Sequence, residues 1–496
     1  MAKSFRGCVI YGWTKAVNGW LPGLWAGLSL GSVACGAALA GPPVALALPD
    51  NLPPDTPAFE LAESAGPPAL RIVPLEPPVM DRGGVYGGWG QGAIGPDLRF
   101  YFAIGNHLTS PEADAWLFAY DSTTGGIESV LSTRAAAAWE TRQTDTGRPE
   151  LGDGKLHTAI DFAPDGTTYL LSFYGDYPAK AEWGRTYPGG RLFRYHIGSG
   201  QSEFLGVPYP QDSWPMQRWD HRRGVLVGIG ERGLYLNPRL AEGDAPAGMH
   251  WSGKQNQHSY GSVLVYDTVV ERVVYAGLPE DLHRADVAED ERPLRVERRA
   301  LLLDPDSGRF FSCGTASPTE LILIDPAKIR DDPRQGIIRT GLEIDSPLRA
   351  GTRRTTDNGE LIFITQAGTL YALRADDLTL RRLGPAWTPG VLITDLCLDA
   401  SANNLYFVVD STWSGRAYGV PVVRYHLATG QRTVLCFLAP TLFDLAGYCV
   451  VGAYTAVANT AGDRLFIQIN GHFGEDADTA RYEQPVIVDL PIPPQP

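Results

Sequence analysis

The residues best suited to chemistry are one histidine at a charged strand start and two long runs of aromatic and basic side chains. Gly154-Lys155-Leu156-His157-Thr158 places a histidine two residues after a lysine, at the head of a β-rich run. A histidine there can exchange a proton near neutral pH, or simply bond a neighbouring carbonyl. Residues 174–190 hold Tyr174, Asp176, Tyr177, Lys180, Trp183, Arg185 and Tyr187, and residues 231–261 hold Tyr235, Arg239, His250, Trp251 and His258. Arg218 lies shortly before the second run. Flat rings stack on sugar faces, and guanidinium groups bind carboxylate or sulfate through paired hydrogen bonds. Each of these residues taken singly also serves ordinary structural ends. Their grouping is what fits an anionic sugar polymer.

The elements that position them follow from a repeat. An apolar strand ending in an aromatic and a polar residue, a tight turn and a second strand recur at 116–131, 191–206, 262–278, 320–342, 369–384 and 420–438. Before each copy lies another hairpin with an Asp, Asn or Gly turn, as in 157–173, 300–314, 352–365, 396–409 and 454–469, with a looser copy at 93–105. These turn residues supply the positive φ that tight hairpins need. Four antiparallel strands, A to D, repeating about every 45–60 residues predict a β-propeller. Seven blades start near Gly84, Lys155, Trp214, Leu294, Leu348, Gly390 and Gly452. The seventh supplies only A, B and C, so residues 70–76 are expected to add its outer strand and close the ring, removing open edges. A six- or eight-bladed ring and a pair of sandwiches are the competing all-β arrangements.

Strand order assigns the loops to faces. A–B and C–D turns share one face and are short; B–C loops and D–A connections share the other and are long. Loops of that length in a regular repeat are usually functional. His107, His250, His258 and His472 fall in B–C loops, His283 in a D–A connection, and His157 at the upper end of an inner strand. His196, His221 and His426 occupy turn positions and are expected to have no catalytic duty. The expected pocket therefore gathers His157, the blade-two and blade-three loops, His107 and Arg218 around one channel mouth.

The seven-blade count, the Gly154–Thr158 phrase that opens blade two and the phrase at 187–206 resemble the exported propeller polysaccharide lyases of the ulvan-lyase type. Specific matching is confined to about residues 154–206. The resemblance implies cleavage of a uronic-acid polysaccharide, sulfated in the ulvan case, by β-elimination, with His and Tyr moving protons and Arg offsetting the uronate carboxylate. His157 matches the first-histidine position. A second histidine of such lyases is absent from the blade-two loop, where Phe173, Tyr174 and Tyr177 stand. On this reading His157, or a loop tyrosine, takes the C5 proton, Tyr235 or His258 protonates the departing oxygen, and Arg239 or Arg218 meets the carboxylate. Tyr174, Tyr177, Lys180, Trp183, Arg185, His107 and Trp251 would bind the polymer. A non-catalytic envelope propeller that binds a glycan or protein is the alternative, and a metal-dependent hydrolase or lactonase a second.

Composition bounds these readings. The 496 residues are 44% hydrophobic with a net charge of −14. Such acidity repels phosphate backbones, and no basic run relieves it, so nucleic acid is not an expected partner. Lys3, Arg6 and Lys15 precede an apolar stretch ending in small residues, the pattern of a signal peptide over 1–47 cleaved after Ala40 or Ala47. Cys35 also sits in a degenerate lipidation motif, so the expected location is secreted or periplasmic, with an outer-membrane lipoprotein as the variant. Pro22 and several glycines argue against stable membrane insertion. Residues 48–69 read as a flexible Pro/Ala-rich leader and 70–496 as the propeller. Cys313, Cys397, Cys436 and Cys449 show neither zinc nor haem spacing; they read as buried hydrophobes, with a Cys436–Cys449 disulfide as the oxidised alternative. No cofactor is required, a structural calcium or zinc ion is compatible, and a closed ring is expected to be monomeric. No GxSxG motif supports a serine hydrolase.

Overall fold

The computed structural model describes residues 47–49, 52–62, 68–73, 86–144, 147–175, 187–210, 212–231, 261–283, 294–299, 301–315, 319–409, 418–474 and 483–493. Strands run in the alternation that the hairpin repeat predicts. In Phe100–Gly105, Tyr101 and Ala103 enter one hydrophobic cluster while Phe100, Phe102 and Ile104 enter another. Both faces of such a strand are buried, because a neighbouring sheet packs on each side.

Seven sheets result. The first blade is Ala93–Ile94, Phe100–Gly105, Ala115–Asp121 and Gly126–Ser132, in that order. The third to fifth are regular four-stranded antiparallel meanders. Each pair of adjacent blades encloses its own apolar cluster, from the first-to-second interface around Tyr101 and Phe193 to the seventh-to-first around Phe466 and Phe100. Seven sheets joined by seven such interfaces make a seven-bladed β-propeller. Closure is by hydrogen bonds as well as packing: Ala69–Ile72 pairs antiparallel with Val486–Pro491, Leu70 opposite Val488. The chain's early strand therefore completes its last blade. Turn glycines Gly200 and Gly359 adopt φ of +66° and +70°, values that a β-carbon would strain.

Two regions depart from regularity. Blade two has three long strands, Thr167–Leu171, Leu192–His196 and Gln201–Gly206, and an inner segment held only by isolated bridges, Lys155 to Phe173 and Phe162 to Thr168. That segment instead bridges the inner segment of blade one, Gln91 beside Ala159, with the Ile160 N–H donating to the Gln91 carbonyl at 3.0 Å. The second departure corrects the expectation of a flexible leader. Glu60–Leu61 adds a fifth strand to blade six, parallel to Arg432–Phe437. Phe59 packs 5.9 Å from both the Trp387 and Phe437 rings, and the Tyr418 hydroxyl donates to the Asp55 carboxylate at 3.0 Å. The proline-rich composition masks three anchors that tie this stretch to the ring.

Cys313, Cys397, Cys436 and Cys449 are all free thiols. The Cys436–Cys449 pair is not bonded: Cys436 Sγ meets Thr441 Oγ1 at 3.5 Å, and Cys449 Sγ donates to the Gly474 carbonyl at 3.3 Å. Among the described residues no helix is long and apolar enough to cross a membrane. The expected signal peptide through position 46 and Cys35 lie outside the described residues.

Candidate functional site

The first segment of each blade is its innermost, and alternate residues along an extended segment share one side of it. Along blade two these are Lys155, His157, Ala159 and Asp161, which places His157 near the start of the strand and Asp161 at its turn end. Four residues of extended chain separate the two by about 13 Å.

His157 is 7% exposed. Its Nδ1 lies 3.0 Å from the Pro215 carbonyl of blade three. A carbonyl can only accept, so Nδ1 carries the proton and Nε2 keeps the lone pair whenever the ring is neutral. Burial pushes the imidazole well below its usual value of 6.5, and Arg299, Lys155 and Arg349 push it the same way. The ring is thus a neutral base with a fixed tautomer, and its Nε2 bonds no described residue. Phe173 packs 5.7 Å away, edge-on.

The cations and rings around it come from five blades. Lys155 Nζ sits 5.5 Å over the Trp89 ring of blade one and 5.3 Å over Phe173. Trp89 in turn meets His107 edge-on at 4.4 Å and Tyr454 of blade seven at 6.4 Å. Arg349 arrives from the inner strand of blade five and Arg299 from the turn just before that of blade four, and both act on Glu297, whose carboxyl is raised by burial and lowered by the two guanidinium groups. Blades one and two can approach this closely because their backbones touch. A β-carbon on Gly175 would fall 2.2 Å from the His107 carbonyl, and one on Gly105 would fall 1.9 Å from that of Gly154.

The bases of the two long loops are fixed by buried carboxylates. Asp153 accepts from the Tyr187 hydroxyl at 2.6 Å, Ser172 Oγ at 2.7 Å and Arg191 Nη1 at 3.0 Å. Arg191 also donates to the Leu151 carbonyl and stacks on Trp139. Burial and the Asp153 charge hold the Tyr187 phenol far above its usual range, so it stays protonated at neutral pH. In blade three Asp212 accepts from the Ser213 and Glu231 N–H groups and from Ser262 Oγ. Tyr174 is fully buried: its hydroxyl donates to Glu231, which also meets Arg298.

The turn end of the channel is built differently. Arg218 of blade three donates Nε and Nη2 to Asp161 at 2.9 and 3.2 Å. Arg353 crosses from blade five, bonding Asp161 at 3.2 Å, the Gly92 carbonyl at 2.6 Å, the Gln91 carbonyl at 3.2 Å and the Ile160 carbonyl. This guanidinium ties blades one, two and five together. Below it opens a cavity of about 610 Å³ among the A–B turns, lined by residues including Asp161, Arg218, His221, Arg353, Asp395 and Asn459.

No family model matches this chain, and no curated protein matches it. Among solved structures, one chain of the "Crystal Structure of Mitotic Checkpoint Complex" aligns with it at 9% identity and a TM-score of 0.47, over 88% of this chain and 99% of that one. The seven-bladed ring rests on its own sheets and interfaces.

The structure brings His157 together with His107 through Lys155 and Trp89, and sets Tyr174 behind Phe173, ring centres 4.3 Å apart. Arg218, expected at the His157 end, is instead held by Asp161 at the turn end, because three further strand residues carry it down the channel. Tyr174, expected to face a polymer, has its ring enclosed and its hydroxyl engaged. His472 is expected in a loop, but the strand Arg464–Phe473 continues through it and buries it. His196 and His426 bond Ser199 and Thr429 within their C–D turns, as turn residues do. Tyr177, Lys180, Trp183, Arg185, Tyr235, Arg239, His250, Trp251 and His258 lie outside the described residues. Sequence reasoning misses Lys155, Glu297 and Arg299 as members of the cluster. The signal for Lys155 is its two-residue spacing from His157 along extended chain, whereas Glu297 and Arg299 meet at the turn of residues 298–299, which strand alternation does not report. Among the described residues no three His, Cys, Asp or Glu side chains come together as a metal site would need.

Proposed function

We propose that the chain is an exported lyase that cleaves a uronate-containing polysaccharide by β-elimination at the His157 end of its channel. The observation that carries this reading is the state of His157: a neutral imidazole, tautomer set by the Pro215 carbonyl, Nε2 bonding no described residue, with three cations acting on it. β-Elimination needs that combination. A uronate binds with its carboxylate toward Arg299 and Arg349, which offset its charge and stabilise the enolate-like state as the C5 proton leaves. His157 Nε2 takes that proton, the bond from C4 to the glycosidic oxygen breaks, and a C4–C5 double bond forms. The departing oxygen gains a proton, the role assigned to Tyr235 or His258. Trp89 and Tyr454 offer ring faces to the sugar. A well-placed base of this kind contributes about 10²–10⁴-fold. Arg218, tied to Asp161, has no part in this step, so the carboxylate role passes to Arg299 and Arg349.

The test is to incubate the purified protein with a panel of uronic-acid polysaccharides and record the ultraviolet absorbance of new unsaturated ends. Product from at least one member is expected, unchanged after dialysis against a chelator. Binding without product would favour a glycan-binding propeller, and product lost on chelation a metal-dependent enzyme.

A further inference from the structure

The charges at the turn end of the channel do not balance. Arg218 and Arg353 share the single carboxylate of Asp161. Asp220, also in the cavity wall, is engaged elsewhere: its oxygens accept from the Arg222 and Arg223 N–H groups and from Arg223 Nη1. Asp395 is turned to Thr455 Oγ1 and to the N–H groups of Ala456 and Leu396, and burial works against its ionisation. At the mouth stand His221 and two exposed arginines. Arg222 faces the exposed Asp306 at 3.6 Å, and the hydrogen bond of Arg354 is a long one, 3.5 Å, to the Ala400 carbonyl.

Arg218 is the decisive residue. Its side chain is 4% exposed and fixed by Asp161 through Nε and Nη2, while Nη1 has no partner among the described residues. One edge of the guanidinium is therefore locked and the other is left for the cavity it lines. That free edge offers parallel N–H groups at the spacing of a carboxylate, with no side-chain entropy left to lose on binding. The cavity, about 610 Å³, falls within the range of small-molecule sites. Ile160, Trp219, Leu396 and Val457 give it apolar walls for a carbon skeleton. In a chain of net charge −14, a cationic recess of this kind concentrates anions.

We propose that this cavity binds a small organic carboxylate, gripped by the free edge of Arg218 and met at the mouth by Arg354. His157 is not among the residues that line this cavity, and the proposal holds whether or not the protein cleaves a polymer.

Isothermal titration of the full chain with malonate tests it, with glucose as the neutral control. Malonate is expected to bind with a dissociation constant on the order of 1 mM or tighter, and glucose not at all. Arg218→Lys keeps the charge opposite Asp161 but removes the fork, and should weaken malonate by about tenfold or more. Should that variant fail to fold, the exposed Arg354→Gln, expected to weaken malonate several-fold, and Thr460→Trp at the rim, expected to block access, carry the same test. Lys155→Gln, at the opposite end, should leave malonate binding unchanged. The proposal is overturned if malonate gives no heat, if Arg354→Gln and Thr460→Trp bind it like the wild type, or if Lys155→Gln abolishes it.

Discussion

The two ends of the channel use the same kinds of residue to opposite effect. At the turn end, Arg353 directs its donors to three carbonyls and a carboxylate, and Arg218 is locked to the same carboxylate. Those cations hold blades together. At the other end, Lys155, Arg299 and Arg349 act on an imidazole whose Nε2 bonds no described residue, and they make its protonated form costly. Those cations tune a base. The contrast teaches that an arginine in a channel is classified by what its N–H groups are already holding, more than by its depth or strand.

Breaking the structural end should give the largest effect. Asp161→Asn removes the anion shared by the buried Arg218 and the partly buried Arg353 and should cost about 3–5 kcal/mol in chemical denaturation, since a buried charge loses its partner. A loss under about 1 kcal/mol would mean that the ion pairs of Asp161 are not what joins blades two, three and five. Next comes acidification. His157 has a folded pKa below its unfolded value of 6.5, so the unfolded chain binds the proton first. Its contribution to stability is complete above pH 6.5 and is lost as pH falls toward the folded value. Wild type should therefore lose stability more steeply than His157→Asn below pH 6.5, by up to about 1.4 kcal/mol per pH unit. Parallel curves would show that the imidazole is not held neutral.

Phe59→Ala should cost about 1–2 kcal/mol by loosening the leader from Trp387 and Phe437. It should alter neither polymer cleavage nor anion binding, and so separates ring stability from both ends of the channel. The smallest expected effect is that of Lys155→Gln on the acid limb of the pH–rate profile. Removing one of three cations should move that limb upward, toward pH 6.5, by less than about one unit. A downward movement would contradict the assignment of Lys155 as a group that disfavours the imidazolium.

The ring is legible in the sequence because its information is local. Hairpins such as 191–206 carry their turn glycine and their alternation within about twenty residues, and even the closing strand near residue 70 follows from the outer strand that blade seven lacks. What the sequence hides is what depends on contacts between blades. Arg353 reaches Ile160 and Gln91 from far along the chain, and no local pattern reports that. Arg218 looks like a neighbour of His157 because both lie on inner strands; its three-residue offset from Pro215 puts it with Asp161 instead. The anchoring of the leader is hidden for a related reason. Its prolines and alanines are poor in periodic signal, while its anchors, Asp55 and Phe59, have partners in blades five and six.

The most direct measurement is the rate at which the protein generates unsaturated uronate ends from a polymer it cleaves, compared between wild type and His157→Asn. Asparagine keeps a donor for the Pro215 carbonyl but offers no basic nitrogen. A fall of about 10²–10⁴-fold in kcat with a near-unchanged unfolding midpoint is predicted. Equal rates in the two proteins would remove His157 from the chemistry and contradict the account.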